Sequence, residues 1–232
     1  MLFLSCIGRA THGFESDGML NMPPSRTLVI QQKELIESIR SGDSKGFDRL
    51  LGTGLNPNYL FGEAHVSPLS EAIAERQPKM IASLLSHGAD VNFGVNVGLV
   101  PLAVAAWYDD ADTVTELLKR GAIIDARDSD GYTPLLEAAS HAEGVRVIKL
   151  LVAAGANIQN TGNIEGDTVL MLAASRGNLD AVSLFVQLGV SACIGDKHGM
   201  MASNYVNALV KPETGKTIRD LLNSKCVSTV RK

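Results

Sequence analysis

A glycine returns through this chain at an almost fixed interval. Gly54, Gly88, Gly121, Gly155 and Gly189 each close an apolar run, and they are separated by 34, 33, 34 and 34 residues. A second landmark, the residue that opens a short apolar segment, falls at Pro68, Pro101, Pro134 and Val169, with separations of 33, 33 and 35. Two landmarks that keep one period mean that the chain is built from copies of a single small unit. The unit is most complete over residues 128–157. There Asp128-Ser129-Asp130-Gly131 reads as a turn, Thr133 can cap the short helix that Pro134 opens, and Gly155 ends the longer apolar helix that follows. Such a pair of helices is too thin to bury its own apolar face, so it needs copies on either side.

The residues that carry this pattern also carry a resemblance. Asp130-Gly131-Tyr132-Thr133-Pro134-Leu135 with Ala138-Ala139, and Gly88-Ala89-Asp90-Val91-Asn92, resemble the two characteristic strings of the ankyrin repeat family over about residues 33–224. The resemblance implies an all-α repeat protein, an ankyrin-type α-solenoid of helix-turn-helix units joined by β-hairpin-like loops. Some positions depart from the family pattern. Ser67 and Val100 stand where threonine precedes the proline, and Val169 stands where the proline itself is usual. The histidine of the family motif is replaced by Ser70, Ala103, Leu136 and Met171, which puts its capping network in doubt.

Repeat by repeat, helices are expected over 33–40 and 45–51, 68–75 and 78–86, 101–107 and 112–119, 134–139 and 145–154, and 169–175 and 179–188. Met80, Ile81, Leu84 and Leu85 form the buried stripe of the second repeat, and Val114, Leu117 and Leu118 that of the third. The fourth repeat carries one extra residue around 141–144. After Asp196 the pattern weakens, and a degenerate sixth repeat, with a last helix near 217–222, serves as the C-terminal cap. This gives a leader over 1–31, broken by Gly13, Gly18, Pro23 and Pro24, a repeat domain over 32–224, and a basic tail over 225–232.

Composition narrows the function classes. With 21 basic and 25 acidic residues the net charge is −4, which argues against nucleic acid as a partner. Apolar runs all fall short of the roughly 18 residues of a membrane helix. Cys6, Cys193 and Cys226 are odd in number, widely spaced and without a CxxC pair, so they suggest neither a disulfide framework nor a zinc site, and a reducing, cytoplasmic location is the plain reading. The start, with Leu4-Ser5-Cys6 as a loose match to a lipoprotein cleavage box, leaves export or lipid anchoring as the alternative.

The repeats occupy nearly all of the chain and leave too little for a separate catalytic domain, so no enzyme activity and no cofactor are expected. Gly215-Lys216-Thr217 ends like a phosphate-binding loop, but Val210 stands where the first glycine belongs, and these residues read as the start of the last helix. The five histidines lack metal-ligand spacing, and His87 reads as a partner of the preceding helix's carbonyls. Asp109, Asp110 and Asp112 read as caps of the helix that follows them, not as a calcium loop.

What remains is surface. In the resembled family, the residues after the paired alanines and those at the hairpin tips contact partners. Carried over by position, these are Trp107 and Tyr108, Ser140 and His141, and Ser175 and Arg176, with Phe93, Leu99, Arg127, Ser129, Tyr132, Glu165 and Asp167 at the tips. Trp107, the single tryptophan, and Tyr108 are the expected anchors, flanked by Asp109 and Asp110. The function implied is non-enzymatic binding of another protein through a concave face, the partner presenting a basic patch. An immunity or inhibitor protein that occludes a toxin or enzyme is the alternative. The oligomeric state stays open, with a monomer favoured.

Overall fold

In the computed structural model of the chain, residues 25–63, 65–141, 145–159 and 165–230 are described, with side chains as far as Cys226. Helix pairs follow one another there at the expected period, and the molecule is an all-helical repeat protein. Two compact units divide between Ala89 and Asp90. The first holds α1 (Arg26–Ser41), α2 (Ser44–Gly52), α3 (Pro68–Ala74) and α4 (Pro78–Ser86). In the second come α5 (Pro101–Trp107), α6 (Ala111–Lys119), α7 (Pro134–Ala139), α8 (Arg146–Ala153), α9 (Val169–Arg176), α10 (Leu179–Gln187), a 3₁₀ turn (Ala202–Tyr205) and α11 (Pro212–Val230).

Local chemistry sets the helix boundaries. The hydroxyls of Ser67, Thr133 and Thr168 accept from the backbone N–H of Ser70, Leu136 and Met171 and so cap α3, α7 and α9. Where the motif histidine is missing, the network is rebuilt locally. Ser67 Oγ donates to Ser70 Oγ at 3.1 Å, and the N–H of Thr168 donates to the Met171 thioether at 3.3 Å. Asp43, Asp110 and Asn178 cap the longer helices α2, α6 and α10 in the same way. The five periodic glycines all have φ between +81° and +94°, and a Cβ there would meet nothing within 4 Å. Their requirement is therefore the left-handed turn itself, not space.

Short helices form the inside of each stack. Leu102 to Ala106 of α5 are 0–3% exposed, and α5 packs on α7, which packs on α9. Each longer helix buries one stripe: Met80, Ile81, Leu84 and Leu85 on α4, and Val114 and Leu117 on α6, with Leu118 only half-buried. Among the described residues the loops form no ladder, only the isolated bridges Phe61 to Val66 and Gly195 to Met201. Side chains join successive loops instead. In the first unit Asn58 Nδ2 donates to Gly88 O at 3.0 Å. In the second, Asn92 Nδ2 donates to Gly121 O at 3.2 Å while its Oδ1 accepts from Ile123 N, the N–H of Asn157 donates to Asp125, and Gln159 Nε2 donates to Gly189 O.

Both ends of the repeat domain differ from the sequence reading. The leader does not reach residue 31, because Ser25 caps a helix that begins at Arg26, and 26–41 contains neither glycine nor proline. Residues 1–24, which hold the cleavage-box match, lie outside the described residues, as do 142–144 of the expected insertion. At the other end α11 starts at Pro212 and runs on through 225–230, so those residues are not a separate tail. Gly215-Lys216-Thr217 lies inside this helix, where a Cβ on Gly215 would lie 3.0 Å from Val206 Cγ1. The sixth repeat opens with the 3₁₀ turn in place of an α-helix.

The cysteines require a further correction. Cys193, in the turn after α10, and Cys226, on α11, form a disulfide with Cα atoms 5.2 Å apart. Their separation of 33 residues looks wide along the chain, yet it is one repeat period. In a stacked array, residues one period apart are neighbours.

Candidate partner-binding surface

Within the second unit, α5, α7 and α9 start in register, and two columns of side chains follow at their ends. One contains Trp107, Ser140 and Ser175, and the next contains Tyr108, His141 and Arg176. The two serines turn back on their own helices. Ser140 Oγ donates to Glu137 O at 2.9 Å, and Ser175 Oγ donates to Leu172 O at 2.8 Å. That leaves Trp107 as the one large side chain of its column. Two residues of the second column reach it: the His141 ring meets it edge-on with centroids 6.5 Å apart, and the Arg176 guanidinium carbon lies over its ring at 6.0 Å. Arg176 is thus in cation–π range, and three repeats converge on one indole.

Trp107 is half-buried, neither folded away into the core nor fully exposed. Tyr108 is likewise half-buried and closes α5 by donating its N–H to Val104 O. His141 is held in place from the next repeat, where Asn178 Nδ2 donates to its carbonyl at 3.4 Å.

Other expected contact residues have different surroundings. Ser140 is only 6% exposed, so it drops out of the contact set; it stands where α7 ends one residue earlier than α5 and lies beneath the surface. The carboxylate of Asp110 accepts from both the N–H and the hydroxyl of Thr113, which matches its reading as a cap. Asp109 supplies the turn before it, at φ +52°. Asp112 pairs with Arg146 at 3.3 Å. At the loop tips, Arg127 Nη1 donates to Gly131 O at 2.9 Å, and the N–H of Tyr132 donates to Asp128 Oδ1 at 2.8 Å. Phe93 is half-buried in the preceding loop. Asp167 is 8% exposed and accepts the Tyr205 hydroxyl at 2.5 Å, while Glu165 pairs with Lys197 at 2.8 Å. Both residues thus pair with the sixth repeat, Asp167 from a buried position and Glu165 from an exposed one. His87 behaves as expected in its own unit, with Nδ1 at 2.8 Å from Ser83 O.

One residue of this surface was missed in the sequence. Glu137 is the single charged side chain of α7, and it is half-buried one turn before His141. Burial pushes its carboxyl up to about 8, the charges of Asp128 and Asp130 push the same way, and the Ser140 hydroxyl and the Arg176 charge oppose them. Asp128 is also raised, to about 6, by burial against the backbone N–H groups that favour its charge. The signal was available: a carboxylate between Leu135-Leu136 and Ala138-Ala139 has no apolar reason to be there.

Comparison with known proteins fits this geometry. The family model described as ankyrin repeats, in three copies, matches residues 69–162, 102–198 and 135–218. The chain belongs to the ankyrin repeat family. Among curated relatives, "Putative palmitoyltransferase ZDHHC13" of Danio rerio is 25% identical over 179 residues, covering 75% of this chain and 28% of that protein. "Ankyrin repeat and SOCS box protein 6" of Homo sapiens is 32% identical over 142 residues, 58% of this chain and 34% of the relative. "Putative ankyrin repeat protein FPV031" of Fowlpox virus is 29% identical over 181 residues, 75% and 51% of the respective chains. The chain therefore spans between about a quarter and a half of these relatives. Ankyrin repeats are in general protein–protein interaction modules and non-enzymatic. Among the described residues no helix is long and apolar enough to cross a membrane.

Proposed function

We propose that this ankyrin repeat protein is a non-enzymatic recognition module that binds a partner protein through the face formed by the ends of α5, α7 and α9. The observation that carries the reading is the convergence of His141 and Arg176 on Trp107. A half-buried indole fixed by neighbours from two further repeats is a preorganised anchor, since little rotamer freedom is left to lose on binding. The partner meets it with a basic patch, whose complement is Asp109 at the turn and the exposed Asp130 at the neighbouring loop tip. We read the compartment as oxidising, on the support of the Cys193–Cys226 disulfide, in place of the cytoplasmic one that the cysteine count suggested.

The test is affinity capture with the intact chain, with W107A/Y108A as control, followed by calorimetric titration of whatever only the intact chain retains. Loss of an anchor pair weakens binding by at least about 2 kcal/mol, roughly 30-fold. Far-UV circular dichroism stays unchanged, because neither side chain lies in the core. Equal affinity of the two proteins for the captured partner would remove the site assignment.

A further inference from the structure

The end of α11 is held in an unusual way. At 19 residues it is about twice as long as the other second helices of the unit, which run to 8 or 9. Its apolar anchors, Ile218 and Leu222, are 0% and 1% exposed, and they pack the first part of the helix on α10 and the 3₁₀ turn. Next along the helix, Asn223, Ser224 and Lys225 are exposed and Cys226 is half-buried. There Cys226 bonds to Cys193 in the turn after α10, with its sulfur 4.0 Å from the Met201 thioether. Where an ordinary repeat would turn back at a glycine, this one continues as helix and is fastened covalently.

We propose that Cys193 and Cys226 are a redox-controlled clamp that docks the last turns of α11 and opens on reduction. The pair closes by thiol–disulfide exchange with a small-molecule disulfide such as oxidised glutathione. One cysteine thiolate attacks that disulfide, forms a mixed disulfide and expels one glutathione thiolate. The second cysteine, as its thiolate, attacks the protein-bound sulfur, forms the Cys193–Cys226 bond and expels the second glutathione. Two protein thiols are oxidised, one disulfide is reduced, and the two protons end on the two glutathione thiols. A dithiol runs the reaction backwards. Closed, the clamp continues the terminal cap past Leu222. Open, it removes the covalent tie between this end of the helix and the turn after α10, and a helical end of two turns is marginal in water on its own propensity. An array whose end repeat loses its cap frays from that end. The clamp lies outside the Trp107 surface, so its test stands apart from the test of partner binding.

The experiment uses the full chain, equilibrated either with oxidised glutathione or with dithiothreitol. A non-reducing tryptic digest of the first sample yields residues 177–197 joined to residues 226–231, the fragments that carry the two cysteines. Hydrogen exchange read by mass spectrometry shows amides of 223–230 exchanging at least about tenfold faster in the reduced sample, while peptides of α5 and α7 do not change. C226S gives the fast exchange in both conditions. Alkylation of both Cys193 and Cys226 after equilibration with oxidised glutathione would overturn the proposal. So would equal exchange in the oxidised and reduced chains, or slow exchange in C226S.

Discussion

Glu71 and Glu137 occupy the same position of the repeat, three residues after the proline that opens the short helix, yet the two units treat them differently. In the first unit Glu71 is 8% exposed and takes the Nε–H of Arg40 at 2.5 Å, and the Arg40 guanidinium also lies 5.7 Å from the centre of the Phe61 ring. The hydrogen bond to Glu71 raises the Arg40 guanidinium above its ordinary value, against the opposing effect of burial. In the second unit the carboxyl of Glu137 meets the Ser140 hydroxyl at 3.5 Å, among the like charges of Asp128 and Asp130. One register position thus holds either a carboxyl group paired with a cation or a carboxylic acid kept near neutrality by its surroundings. The first is part of the fold's fastening. The second is half-buried one turn before His141, among like charges.

Removing the cation that makes the difference gives the largest effect. R40M keeps the apolar stem of the side chain but leaves Glu71 as a buried carboxyl without its partner. Breaking a buried pair by one member costs about 3–5 kcal/mol, and because Arg40 is 43% exposed the expected loss is nearer ~2–3 kcal/mol. A shifted urea midpoint with an unchanged slope measures it. E71Q/R40M, with no charge left to strand, recovers more than half of the loss. Failure to recover would mean that Arg40 acts mainly through Phe61.

E137Q probes the other side of the comparison, and its effect depends on pH. The carboxyl of Glu137 titrates near 8 in the fold and near 4.5 in the unfolded chain, so the folded state holds its proton longer. Stability is then complete below about pH 4.5, falls as pH rises, and reaches its full loss above about pH 8. Glutamine mimics the protonated acid and removes that slope. E137Q is therefore close to wild type at pH 5 and more stable at pH 9, by about 1–3 kcal/mol once partial solvent access is allowed for. Asp128 adds its own slope between about 4 and 6 in both proteins, so the difference between them isolates Glu137. Thermal melts across pH 5–9 check this, and parallel curves would mean that Glu137 is ionised throughout.

Much of the fold was legible because its causes are local. The left-handed glycines, the hydroxyl caps and the prolines at the first helical turn repeat in the sequence itself, and phase alone fixes their meaning. On the surface, Trp107, His141 and Arg176 were placed by register, and the structure brings them together. Their contacts were not legible, because Trp107 belongs to one column and its two neighbours to the next. Ser140 was misplaced for a related reason: it holds the register position of Trp107, but it is small enough to turn back on its own helix and be covered. Glu137 was passed over because helical periodicity marks its neighbours as core and says nothing of a charge among them. The disulfide was hidden by counting distance along the chain, where the relevant unit is the repeat.

Arg176 links the two halves of this surface, and replacing it gives the smallest effect. Its charge lowers the Glu137 carboxyl and its guanidinium lies over the Trp107 ring. R176A therefore moves the Glu137 titration further up and uncovers one face of the indole. An exposed cation–π contact is worth about 0.5–1 kcal/mol, and an exposed charge acting on a neighbour about as much or less. Because Trp107 is the single tryptophan, its fluorescence reports the site alone. In R176A the emission maximum shifts to longer wavelength at neutral pH, and its titration across pH 6–9 moves upward. R176K, which keeps a cation, restores most of the titration but less of the emission change, since lysine lacks the planar group that stacks on a ring. If both read-outs in R176A match the wild type, Arg176 is coupled to neither Glu137 nor Trp107, and the surface divides into independent parts.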